Sequence, residues 1–126
     1  MKGLRRGQDG FTLVELLFVL IIIGILTTIA VPTYLGQRSK AKDAAVKEGI
    51  HRVEVGIESY AADHTDGLPA AVNQGTIGAY VDNWSNNPYT NVPMQDSPAV
   101  GDYTYMPASD SFTLVGHLSS GDFAVP

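Results

Sequence analysis

The chain has no cysteine. Disulfide frameworks, thiol catalysis and cysteine metal sites are therefore excluded. Positive charge is missing from everything after Arg52: all eight Lys and Arg lie at or before that residue, whereas nine of the thirteen acids come after it. A segment so balanced is soluble and repels phosphate backbones, so residues from Val53 onward are not expected to bind nucleic acid. Any basic contact must come from the stretch Arg38 to Arg52. Catalytic signatures are lacking too. His51, His64 and His117 are well separated with no HxxxH or HExxH spacing, and there is neither a glycine-rich phosphate loop nor a G-x-S-x-G turn. Each histidine reads as a surface or packing residue. Asp96, Asp102, Asp110 and Asp122 fall on turns or strand ends, where Asp is common for local reasons. No enzyme activity is expected.

Charge is nearly absent from a second place. Phe11 to Val31 is a run of 21 residues with Glu15 as its only charged side chain. At about 1.5 Å per residue, a helix of that length crosses a bilayer core. Lys2, Arg5 and Arg6 precede it. By the positive-inside rule they hold the N-terminus in the cytoplasm and send the chain beyond Val31 outward.

Helical periodicity continues past the apolar run. Val46, Ile50, Val53, Ile57 and Tyr60 recur at alternating spacings of four and three, which lines one face of a helix. Asp43 with Lys47 and Glu48 with Arg52 are acid-first pairs four residues apart, the orientation that supports a helix. One helix, interrupted or not, is expected from about Thr12 to about Asp63. Its first half is apolar all round; its second half is apolar on one stripe and wants one folded partner.

That partner is expected to be the remainder of the chain, which is rich in turn formers: "DGLP" at Asp66 to Pro69, "SNNP" at Ser85 to Pro88 and "PASD" at Pro107 to Asp110. "DYTYM" at Asp102 to Met106 and "SFTLVGHL" at Ser111 to Leu118 alternate across the last of these turns and predict an antiparallel hairpin. "DFAVP" at the end predicts an edge strand stopped by Pro126. The fold class is α+β, a long helix whose stripe covers one face of a small antiparallel sheet.

Glu15 needs an account. Burying an acid in a membrane segment costs about 2.5 to 3.5 kcal/mol on insertion scales, so it marks a partner or a function. An ordinary secretory signal peptide with a weak small-residue site at Thr28 and Ala30 would avoid an acid there, and the helix pattern runs through the supposed cut without a break. A plain single-pass anchor explains the length and leaves Glu15 idle.

"GFTLVELLFVLIIIGILTTIAVPTY" resembles the N-terminal signature of type IV prepilins and of the pseudopilins of type II secretion. In that family a short basic leader is cut after a glycine by a membrane-embedded prepilin peptidase, the new N-terminal residue is N-methylated, and a glutamate stands at the fifth mature position. The resemblance places these roles on Gly10, Phe11 and Glu15. It implies that Glu15 is the counter-charge for the Phe11 amine of a neighbouring subunit, so that two isolated buried charges become one pair that also sets the offset between neighbours. It also implies that the helix between Gly24 and Pro32 is stretched or unwound in the filament, in keeping with a proline and weak helix formers there.

The implied domain layout is a leader at 1–10, a membrane and filament-core helix at 11–32, an amphipathic helix at 33–63 and a sheet-bearing head at 64–126. The expected function is the major structural subunit of a type IV pilus, a noncovalent helical homopolymer. The major pseudopilin of a type II secretion system is the alternative, and an exported monomeric binding protein is the contrasting class. Expected partners are identical subunits, the peptidase and methyltransferase, and a separate inner-membrane platform and ATPase, since the chain has no nucleotide site. The precursor is expected in the plasma membrane, and the filament outside the cell or across the periplasm. "DNWSNNPYTN" at Asp82 to Asn91 is similar to the W-x-N-P-Y stretch of major pseudopilins, and "LSSGD" at Leu118 to Asp122 faintly resembles their calcium-binding end. Few further acids are present to complete an oxygen shell of about six to eight ligands, so neither metal nor cofactor is expected. Without a disulfide, the C-terminal segment must be held by strand pairing and by Trp84, Tyr89, Tyr103, Tyr105 and Phe112.

Overall fold

A computed structural model describes residues 10–65 and 67–125. The predicted leader up to Asp9, Asp66 at the start of the "DGLP" turn and the strand-ending Pro126 lie outside the described residues. Two compact units meet at Gly36 and Gln37. One helix, α1 (Leu13–Asp63, 51 residues), contributes to both.

In the first unit α1 is apolar on every side, as the composition predicts. Its large aliphatic and aromatic side chains from Phe11 to Leu35 are exposed. The most apolar window has a mean hydropathy of 2.8 with none of it buried, so by length and composition this helix can cross a membrane. Gly24 and Pro32 do not interrupt it. Pro32 supplies no N–H to the preceding turn, and threonine hydroxyls work on the same stretch: Thr27 Oγ1 donates to the Ile23 carbonyl at 2.6 Å, Thr28 Oγ1 to Gly24 at 2.8 Å and Thr33 Oγ1 to Ile29 at 3.1 Å. Such back-bonds satisfy the hydroxyls in an apolar medium and slightly weaken and bend a helix. Despite this local weakness the stretch stays helical in this structure.

In the second unit the stripe turns inward. Val46, Ile50, Val53 and Ile57 are fully buried, and Tyr60 packs at the edge of the same cluster. They cover a three-stranded antiparallel sheet of β1 (Tyr103–Pro107), β2 (Phe112–Gly116) and β3 (Phe123–Val125), in the order β1-β2-β3. Tyr103 faces Gly116 across the hairpin and Leu114 faces Val125. This is the predicted hairpin and edge strand, with Ala108 N donating to Ser111 O to close the turn. β1 starts and ends one residue later than the alternation suggested, taking in Pro107 from the expected turn, and β2 is shorter at both ends; Asp102 and His117 leave the regular ladder while keeping one backbone bond, His117 N to Asp102 O at 3.0 Å. Alternation explains the inner face: Tyr103, Tyr105 and Leu114 point to the core. Gly116 leaves room for Ile50 to lie directly on the sheet, since a Cβ there would overlap Ile50 Cδ1.

The connection between helix and hairpin closes the far side of the core with Val72, Ile77, Val81 and Met94. It includes a short helix, α2 (Gln74–Ile77), continued by one 3₁₀ turn. Asn73 caps α2, its Oδ1 accepting from Gly75 N and Thr76 N while Thr76 Oγ1 accepts from Asn73 N. Two tyrosine hydroxyls tie this connection to the sheet: Tyr103 donates to Val72 O at 2.8 Å and Tyr105 to Pro69 O at 2.9 Å. Trp84 stands edge-on to Tyr103 and donates through Nε1 to Met94 O, and Tyr105 packs against Phe112. All five aromatics expected to hold the head together thus lie in or against one cluster, with Tyr89 packed on it as are Trp84 and Phe112.

Candidate functional site

Gly10, Phe11 and Thr12 precede α1 in non-helical conformation. The chain enters the helix through Thr12 and Glu15. Glu15 Oε2 accepts from Thr12 N at 2.9 Å and from Thr12 Oγ1 at 3.1 Å, and Thr12 Oγ1 accepts from Glu15 N at 3.2 Å. This is a capping box: each residue satisfies the other's backbone amide at a terminus that would otherwise leave donors bare. The acid therefore has a task inside its own subunit, one that the family resemblance does not assign to it. The signal is present in the sequence, since T-L-V-E has the required spacing.

Around the carboxylate the surface is apolar, a shallow groove lined by Phe11, Val14, Phe18 and Val19. Phe11 is 93% exposed. An exposed anion ringed by uncovered aromatic and aliphatic side chains is a poor fit to water or lipid and a good fit to a cation carried by another apolar surface. The structure thus brings Phe11 and Glu15 together at one helix end, with Gly10 immediately before them. Gly24 and Pro32 lie farther along α1, away from that group.

A second concentration of polar chemistry lies in the other unit. Asp43 is 7% exposed, and its carboxylate collects donors from three residues distant in sequence. Ser119 N donates at 2.9 Å, Ser119 Oγ at 3.0 Å, Ser120 N at 3.2 Å, Ser120 Oγ at 2.8 Å and the Tyr89 hydroxyl at 2.9 Å. The expected helical pair of Asp43 with Lys47 is thereby corrected: the better-desolvated donors win the carboxylate, and the Lys47 ammonium instead lies 5.3 Å from the Phe123 ring centroid. The Glu48–Arg52 pair does form, with Arg52 also donating to Asn83 O. Tyr89 thus adds a hydroxyl contact to Asp43 to its packing against the core.

Burial of Asp43 favours the neutral acid, but the bonds from the Ser119 amide and the Ser120, Tyr89 and Ser119 hydroxyls outweigh it and lower the carboxyl from 3.8 to about 2. A folded value below the unfolded one means that the contribution is complete above about pH 4 and is lost as pH falls toward 2. Comparing melting curves of the wild type and Asp43→Asn is expected to give a constant difference from neutral pH down to about pH 4, shrinking below it. A difference that grew on acidification would contradict this assignment.

The histidines occupy local roles. His51 pairs with Glu54, His64 stacks on Tyr60 at 4.0 Å between centroids, and His117 bridges Thr104 Oγ1 through Nε2 at 2.8 Å and Asp122 through Nδ1 at 2.9 Å. Asp96 accepts from Tyr105 N and Asp102 from Gln95 N, both as loop supports.

The prokaryotic N-terminal methylation motif matches residues 5–31, which contain Gly10, Phe11 and Glu15. Type II secretion system core protein G of Vibrio cholerae is 30% identical over 128 residues, covering 90% of this chain and 80% of that protein. The chain belongs to the type II secretion system core protein G family. Core protein G of Aeromonas hydrophila is 30% identical over 75% of this chain and 76% of its own length, and that of Pseudomonas aeruginosa 32% identical over 68% of this chain and 64% of its own length. No solved structure is a significant match.

Within the core protein G family, this chain has a pilin-like architecture, a long N-terminal helix and a small antiparallel sheet. "SNNPYTN" forms a tight loop with a buried centre, where Asn87 N bonds Val92 O at 2.8 Å and Asn87 Oδ1 accepts from Tyr89 N at 2.8 Å. The loop presents Tyr89 to Asp43, so the stretch that resembles the pseudopilin signature is also one arm of the carboxylate cluster.

Proposed function

We propose that the chain is the major pseudopilin of a type II secretion system: a single-pass inner-membrane precursor with a cytoplasmic N-terminus, cut between Gly10 and Phe11, N-methylated at Phe11 and built into a noncovalent helical homopolymer. The observation that carries this reading is the likeness to core protein G over most of the chain, and it favours the secretion filament over the type IV pilus. The exposed apolar surface of α1 supports polymerisation, because side chains uncovered from Phe11 to Leu35 need lipid before assembly and other subunits after it. Glu15 supports it further as the partner for the Phe11 amine of a neighbour, a pair that fixes register. Identical subunits, a prepilin peptidase and methyltransferase, and an inner-membrane platform with its ATPase are the partners of this reading. The role is structural and not catalytic, and the filament spans the periplasm.

Processing gives the direct test. Intact mass of protein purified from cells is expected to reveal loss of Met1 to Gly10 and gain of one methyl group. Loss of Met1 to Ala30 would instead mean an ordinary signal peptide. A peptidase that accepts only a very small residue before Phe11 should leave the leader on Gly10→Val, and normal maturation of that variant would refute the cleavage site. Deleting the gene should retain secreted enzymes in the periplasm if the filament serves secretion; loss of twitching with secretion intact would mean a pilus.

A further inference from the structure

The stretch Leu118 to Asp122, with its resemblance to a calcium-binding end, tests poorly as a cation site on its donor chemistry. Calcium takes about six to eight oxygens with their lone pairs aimed at the ion. Here the polar groups converge with the opposite polarity. The amides and hydroxyls of Ser119 and Ser120 all point hydrogens toward Asp43, at 2.8 to 3.2 Å, and the Tyr89 hydroxyl joins them. Four donors from two successive residues form a cradle for an anion, and a carboxylate already fills it. The loop's own acid is also committed, since Asp122 Oδ1 meets His117 Nδ1, whose other nitrogen is held by Thr104. Two cations stand beside the cluster: the Lys42 ammonium lies 4.6 Å from the centroid of the Tyr89 ring, and Lys47 lies over Phe123, one residue past Asp122. Among the described residues no three His, Asp or Glu side chains gather as a metal ion would require.

We propose that Asp43 does in this head what a bound cation would otherwise do, cross-linking α1 to the Leu118–Asp122 loop so that the C-terminal strand is held without calcium. The carboxylate reaches residues 76 and 77 positions away in sequence. It anchors the segment between β2 and β3, and β3 is an edge strand of three residues that, among the described residues, pairs only with β2. A short edge strand of that kind is marginal unless its entry is fixed. Asp43 fixes it from the helix side and His117 from the sheet side. This closure of the subunit is independent of the filament reading.

The test uses the full chain in detergent, with the single tryptophan, Trp84, as the fluorescent reporter of unfolding. Melting curves in chelator and in millimolar calcium are expected to superimpose. Asp43→Asn, which keeps the shape but makes one end of the group a donor facing donors, should lower the midpoint by roughly 10 °C, and calcium should not restore it. Should that variant fail to fold, the double change Ser119→Ala with Ser120→Ala removes two hydroxyl donors while keeping both amides, and its midpoint should fall by a smaller, calcium-independent amount. A wild-type midpoint that rises with calcium or falls in chelator would overturn the proposal. So would Asp43→Asn or the double serine variant melting like the wild type.

Discussion

Gly101→Ala is expected to destabilise the head by at least about 3 kcal/mol, a large share of the roughly 5 to 15 kcal/mol that holds a domain of ordinary stability together. Two costs coincide at this residue. Its φ of +92° lies where side-chain-bearing residues are strained, and a Cβ built there would overlap the Asn87 carboxamide. Asn87 cannot step aside: it is fully buried, its Nδ2 donates to Val100 O at 3.0 Å and its Oδ1 accepts from Tyr89 N. Displacing it would strand buried polar groups and loosen the loop that carries Tyr89 to Asp43. Gly101 itself donates to His117 O at 2.7 Å, so the same shift pulls at the end of β2. Gly67→Ala serves as the control, because Gly67 has nearly the same φ, +93°, with open space where the Cβ would go. That variant should lose only about 1 kcal/mol. Trp84 fluorescence melts of the two should therefore differ by several degrees, and equal losses would mean that the Asn87 contact carries no weight.

Residues that act through periodicity were legible in the sequence, and residues that act through distant partners were not. The buried stripe Val46, Ile50, Val53 and Ile57 follows from spacing alone, as does the inward pair Tyr103 and Tyr105, since helix and strand impose their periods on whatever must be covered. Asp43 sits on the same helix with Lys47 one turn on, and local rules assign it to that lysine. Its real partners are loop residues more than seventy positions later, and nothing in a local window reports that the chain returns there. α2 lay between these cases. Its four residues are too short for a periodic signal, yet Asn73 and Thr76 carry the reciprocal cap that starts it. At the N-terminus, the resemblance of the signature grouped Gly10, Phe11 and Glu15, while the capping box between Thr12 and Glu15, whose spacing T-L-V-E also carries, went unread beside it.

That bond sharpens the largest expected functional effect, the loss of homopolymer on removing Glu15. If the carboxylate pairs with the Phe11 amine of a neighbour, Glu15→Ala leaves one buried cation per subunit unmatched, at about 3 to 5 kcal/mol for each contact. Insertion and cleavage should be unharmed, because alanine enters a bilayer more readily than glutamate. Alanine also removes the cap on Thr12, worth about 1 kcal/mol at the first turn, so a failed filament could reflect a frayed helix. Glu15→Gln separates the two causes. Glutamine suits the third position of a capping box and can keep the bond to Thr12 N, but it carries no charge. Both variants should accumulate as cleaved, membrane-held subunits and yield no filaments by electron microscopy or crosslinking. In cells that also make wild type, each should enter filaments sparsely, its share falling as more Phe11 amines go unmatched. Filaments from Glu15→Gln but not from Glu15→Ala would assign the acid to capping alone, and abundant filaments from both would leave its charge without a role in assembly.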